Sequence, residues 1–237
     1  MTSGRVPFGI PVLDEALGGG LPRAALHEVF AGAMADGGAA HGFALALALR
    51  ACTTGRKIIW VQQASAVQEY GALHPPGLAE LGADPSDFLV VCVKDALQAL
   101  RAGHEALRCS ALGYVVLEVR GAPKALDLTA SQRLARTAAK SGVGLIMVRT
   151  DADPQPSAAL SRWGVRALPS SRLEANAPGW PAFDITLLRH REGIAPGRWN
   201  VEWNRDELVF RTPALPGAVV PLPAHRPAAA TGWRQAG

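Results

Sequence analysis

Apolar positions along the chain form short runs separated by longer mixed segments. Residues 26–31, LHEVFA, place Leu26, Val29 and Phe30 ahead of a Gly/Ala-rich loop and read as a short buried strand. Residues 42–53 are dominated by Ala and Leu, which favours a buried helix. A strand is predicted at Lys57–Gln62, then one or two short helices within 65–82, around Pro75-Pro76. Phe88–Val93, FLVVCV, is apolar without interruption, as in a strand covered on both faces. Lys94–Arg108 has Leu97, Leu100 and Leu107 at helical spacing. Tyr114–Val119 is a strand that is apolar except for Glu118. Residues 129–141 form a helix carrying Arg133, Arg136 and Lys140, and Gly144–Val148 is the next strand.

Strands alternating with helices imply parallel βαβ units and a doubly wound α/β sheet. After about residue 150 the rhythm changes. Arg162–Leu168, Phe183–His190, Trp199–Trp203 and Glu207–Arg211 are short runs rich in branched and aromatic residues. Turn signals separate them at Pro178-Gly179, Pro196-Gly197 and Asn204-Arg205-Asp206, so antiparallel strands added at the sheet edge are expected. From Pro213 to Gly237 the chain is rich in Pro and Ala, without an acidic residue. That composition cannot bury enough apolar surface to fold alone. The predicted organisation is a core at 1–212 followed by a disordered basic tail at 213–237, with no internal repeat.

Composition narrows the function classes. A chain of 237 residues can bury a full core. It has no apolar run of membrane-spanning length and no leader-like N-terminus, so a cytoplasmic protein with no membrane partner is expected. Cys52, Cys92 and Cys109 are odd in number and widely spaced, and read as small buried hydrophobes rather than a metal set or disulfide frame. The positive charge is nearly all arginine and leaves a net +4, which suits a mildly basic solvated surface, with a nucleic-acid or acidic-partner surface as the alternative. The six histidines show no metal spacing and are expected at the surface.

The candidate chemistry lies near the N-terminus. Gly32 and Gly37 have the G-x-x-x-x-G spacing of a phosphate cradle. A working cradle continues with Lys, which contacts the outer phosphates, and Ser or Thr, which holds Mg²⁺. Here Gly38 and Ala39 follow, and Asp36 inside the loop would repel phosphate. The loop therefore reads as a Gly/Ala connection, and a weakly held nucleotide is the alternative.

The segment GIPVLDEALGGGLPRAALHEVFAG, residues 9–32, resembles the front of a RecA-type ATPase, and AFDITLLRHREGIAPGRWNVEWN, residues 182–204, resembles its late strand–turn–strand. The resemblance runs from near residue 4 to about residue 211 and implies a RecA-like doubly wound, mostly parallel sheet with antiparallel C-terminal strands. It also implies that the strand ending Gln62-Gln63-Ala64 lacks the water-activating carboxylate and that Glu118 occupies the Mg²⁺-linked position. The phosphate-sensing amide would fall near Arg149. A kept fold with altered catalytic positions is similar to the ImuA family of RecA/SulA-like accessory proteins.

That family implies a non-catalytic protein, without cofactor or metal, in assembly or recruitment of an error-prone translesion polymerase complex after DNA damage. Its implied partners are an ImuB-like Y-family polymerase homologue, RecA itself, and DNA through weak non-specific contact. A SulA-type division inhibitor and a weakly active RecA-like ATPase or recombination mediator are the alternatives. Glu118 is expected to be a strand-end carboxylate hydrogen-bonded to loop amides. Arg162, Arg166 and Arg172 with Trp163, and the hairpin of Arg189, His190, Arg191 and Arg198, are read as a solvated edge or partner surface, with direct DNA contact as the alternative. The tail reads as an inert, solubilising segment or as a docking segment, and in the second case Arg226, Trp233 and Arg234 are the candidate docking residues, since Trp and Arg dominate binding hot spots.

Overall fold

A computed structural model describes residues 4–52, 55–170 and 179–213. The tail from 214 onward, with Arg226, Trp233 and Arg234, lies outside the described residues, as do Arg172 and Pro178. The strands are β1 (Arg5–Val6), β2 (Leu21–Pro22), β3 (Leu26–Ala31), β4 (Lys57–Gln63), β5 (Phe88–Val93), β6 (Leu112–Arg120), β7 (Gly144–Thr150), β8 (Ser161–Leu168), β9 (Ala182–His190), β10 (Gly197–Asn204) and β11 (Val209–Arg211). The α-helices are α1 (Pro11–Ala16), α2 (Gly37–Ala51), α3 (Ala64–Tyr70), α4 (Pro75–Glu80), α5 (Ala96–Ala106) and α6 (Leu128–Ser141).

Nine of these strands form one sheet in the order β11-β10-β9-β8-β3-β7-β6-β4-β5. The block from β8 to β5 is parallel throughout. From β8 to β11 each pairing is antiparallel. The late strands thus extend the sheet as their composition implies, with β8 serving both blocks.

Helix α2 has no polar stripe through its middle because that stretch is covered on all sides. Phe43, Ala44, Leu45, Ala46, Leu47 and Ala48 are all buried. They share one core with Trp60 and Val116 of the parallel strands, Leu78 after β4, and Trp163, Phe183, Trp203 and Phe210 of the antiparallel strands. The β10–β11 turn is tied to the end of α4: the Trp203 indole donates to the Leu81 carbonyl at 2.9 Å and Arg205 to that of Glu80 at 2.9 Å. A helix enclosed in this way must be apolar all round. It begins at Gly37, five residues before the predicted start, because the loop passes through one 3-10 turn, Met34–Asp36, directly into it.

The Gly-rich entry closes the same core. Asp14 accepts from the backbone N–H groups of Phe8 at 2.6 Å and Gly9 at 2.9 Å, which holds the buried Phe8, Leu13 and Leu17 in place. Gly20 has φ +103°, and a Cβ there would lie 2.2 Å from the Val6 carbonyl oxygen, so only glycine fits.

A second core lies on the opposite face, under the amphipathic helices α5 and α6. Asp95 and Asp127 cap these helices by accepting from Gln98 N and Ala130 N.

Several expectations are corrected. Strand β5 is an edge strand rather than one covered on both faces, with Leu89 55% and Val90 44% exposed. Cys92 and Cys109 are exposed, so neither is a core hydrophobe, whereas Cys52 is half-buried and packs against the first core. His27 and His190 are buried rather than at the surface.

A candidate site at the carboxyl ends of the central strands

In doubly wound sheets the carboxyl ends of the parallel strands are where ligands bind. Here the ends of β3, β4 and β6 bring together the loop after Ala31, the pair Gln62-Gln63, and Glu118. Gly38, at the position where a working loop carries Lys, lines a cavity of about 450 Å³ whose wall also includes Glu118. His41, Trp60, Gln62, Leu73 and Leu78 complete much of its lining.

Glu118 does not cap loop amides. Its Oε1 accepts from the indole N–H of Trp60 and from the Gln62 side-chain amide at 3.1 Å. His41 Nε2 lies 3.4 Å from the same oxygen. His41 Nδ1 lies 2.7 Å from the Gly37 carbonyl, which only accepts, so Nδ1 carries a proton. With a carboxylate facing Nε2, the arrangement favours the doubly protonated imidazolium. Burial alone would lower the His41 pKa. The hydrogen bond and negative charge of Glu118, helped by the Gly37 carbonyl, outweigh it and hold the pKa above its ordinary value. Gln63 serves the same strand ends, accepting from Arg120 N at 2.8 Å.

The loop is occupied by the protein's own groups. The Gly32 N–H donates to Val165 O at 2.8 Å, and Asp36 accepts from Ala167 N at 2.9 Å, tying the loop to β8. The Arg166 side chain lies across Gly32, where a Cβ would come within 2.7 Å of its Cγ. None of Gly32, Gly37 and Gly38 has a positive φ, so the alternating backbone that forms an anion nest is not present. Mg²⁺ requires a near-octahedral set of oxygens. One carboxylate already engaged by Trp60, Gln62 and His41, with Ala39 in place of a hydroxyl residue, does not fit that requirement.

The other singled-out residues scatter. Arg149 is buried on β7, donates to the carbonyls of Val119 at 3.3 Å and Gly121 at 2.8 Å, and stacks on Phe30, so it does not address the loop. Arg162 is not on a solvated edge. It is 7% exposed and pairs at 2.8 Å with Glu28, which is fully buried, and Ser157 bridges the two. Arg189 and Arg191 are exposed, and Arg198 pairs with Asp184. His41 was missed by sequence reading because no metal spacing includes it. Its position four residues after Gly37 on the loop helix was the available signal.

A strand–loop–helix at the sheet centre, a carboxylate at the end of β6 and a late antiparallel block together define a RecA-like domain with a degenerate nucleotide loop. The crystal structure of the RadB recombinase has this fold: it matches with a TM-score of 0.58 at 19% identity, covering 87% of this chain and 99% of that one. Protein ImuA of Caulobacter vibrioides, in two strains, is 31% identical over 212 residues, taking in 84% of this chain and 77% of that protein. This chain belongs to the ImuA family. No family model matches it.

Proposed function

We propose that this protein is a non-hydrolysing, cytoplasmic RecA-like accessory protein that supports assembly or recruitment of an error-prone translesion polymerase complex during the DNA-damage response. The observation that carries the proposal is the state of Glu118. The carboxylate kept at the metal-linked position is engaged internally by Trp60, Gln62 and His41. Phosphoryl transfer depends on charge stabilisation and positioning, and the loop residues Gly38 and Ala39 offer neither the Lys nor the Mg²⁺ hydroxyl. Family membership supports a role in the ImuA–ImuB system. No helix among the described residues is long and apolar enough to cross a membrane.

The partner in this reading is an ImuB-like Y-family polymerase homologue, with RecA a further candidate through a mimicked subunit interface. Residues 213–237 supply the docking segment through Arg226, Trp233 and Arg234. The test is co-purification of the full chain with the ImuB-like protein after DNA damage. Deleting residues 213–237 is expected to abolish co-purification while leaving the thermal midpoint nearly unchanged, and Trp233→Ala is expected to weaken it by about 2 kcal/mol. Full-strength recovery by the truncated chain would move the interface to the folded domain. Failure of the full chain to bind, with capture of a tubulin-like division protein in its place, would overturn the proposal.

A further inference from the structure

The sheet face opposite α2 carries a groove unrelated to the site above. It runs between α5 and α6, with cavities of about 520 and 430 Å³ that share His104 in their linings. Each wall bears three basic residues at the same spacing. Arg101, His104 and Arg108 stand on and just after α5, and Arg133, Arg136 and Lys140 stand on α6. Steps of three and four residues place each row on one helical face, about 10 Å long.

These charges are largely uncompensated. Among the described residues, Arg101, Arg133, Arg136 and Lys140 have no side-chain hydrogen bond or ion pair, whereas Arg108 pairs with Glu105 at 3.2 Å. Against five Arg and Lys the lining sets two carboxylates, Glu105 and Asp127, and Asp127 is engaged in capping α6. Clustering like charges costs stability unless an anion relieves it.

The lining also indicates which anion. The floor residues Leu100 and Leu134 are 7% and 2% exposed, leaving only Leu97, at 46%, as an exposed apolar contact. That is little surface for an acidic amphipathic helix, which needs a row of apolar anchors. Among the described residues no Phe, Tyr or Trp lines either cavity, so beyond the single His104 ring bases have no stacking platform. What remains is charge along a line, which suits a regularly spaced anionic polymer.

We propose that the α5–α6 groove binds the phosphodiester backbone of nucleic acid without reading its sequence. The proposal uses neither the degenerate loop nor Glu118, so its failure would leave the reading of that site untouched. The test is fluorescence anisotropy on the full chain, with labelled duplex and single-stranded 30-mers of mixed sequence over a salt series. Five phosphate contacts would give a log–log salt slope of about −4.5 on duplex, or roughly a 500-fold loss between 50 and 200 mM salt.

Arg133→Ala combined with Arg136→Ala should shallow the slope by about two and weaken binding at least tenfold at low salt, with the thermal midpoint no lower than the parent's. Arg189→Ala, an exposed cation on β9 outside the groove, should bind like the parent. Comparing the two 30-mers identifies which form supplies the backbone. The proposal is overturned if the double variant binds like the parent, or if Arg189→Ala costs as much. Displacement of the duplex by polyglutamate at equal charge concentration would likewise overturn it, by marking a site for acidic protein segments.

Discussion

Replacing Glu118 with Gln tests the internal engagement of the kept carboxylate. The amide retains an acceptor for the Trp60 and Gln62 N–H groups but removes the charge opposite His41. A hydrogen bond to a charged group contributes about 1.5–3 kcal/mol and a neutral one about 1 kcal/mol, so the two donors together should lose about 2 kcal/mol. The loss should depend on pH. In the parent, the His41 pKa is raised in the folded state, so its contribution is fully present below the ordinary value of 6.5 and is lost as pH rises through the folded pKa. In the variant, burial no longer has an opposing charge, the imidazole resists protonation, and stability falls as the solution is acidified.

The gap between parent and variant should therefore be about 3 kcal/mol near pH 6 and shrink toward about 2 kcal/mol near pH 9. Urea denaturation at the two pH values measures the gap, and an NMR titration of the His41 ring reports the pKa directly. A gap that is constant with pH, or a His41 pKa unchanged by the substitution, would refute the pairing.

Two further predictions concern buried polar groups. His27 is fully buried, and burial, only partly offset by the Pro22 carbonyl, pushes its pKa down from 6.5 to about 4. Its neutral form therefore stabilises the fold above pH 6.5, and about 3 kcal/mol should be lost as pH falls toward 4; denaturation from pH 7 downward should show this, and His27→Gln should flatten it. Arg162→Ala strands the buried Glu28 carboxylate and should cost about 3–5 kcal/mol by urea denaturation, whereas replacing both residues with Met should be close to neutral.

Much of the fold was legible because it rests on local pattern. The runs KIIWVQ and GLIMV and the Leu spacing of 94–108 gave elements within a few residues of those observed, since periodicity and propensity are local quantities. The misreadings share one cause. FLVVCV is apolar whether it lies inside the sheet or at its edge, and strand order depends on pairings distant in sequence. That placement left Cys92 and Leu89 in solvent. His27 is buried because Ser161 and Pro22 satisfy its ring, and Ser161 lies 134 residues away. Arg162 looked like one cation among many until Glu28, on the neighbouring strand, paired with it. Gly32, Gly37 and Glu118 were found from spacing, but their condition was not legible. Asp36 bonded to β8, and His41, Trp60 and Gln62 gathered on Glu118, are outcomes of packing.

In the proposed function the RecA-like core does not turn over nucleotide, and the partner docks through residues 213–237. The most direct test is phosphate release by purified protein supplied with ATP and Mg²⁺, with and without single-stranded DNA, alongside Glu118→Gln. No release above the buffer blank is expected from either protein under either condition. A rate that survives purification and disappears in Glu118→Gln would contradict it.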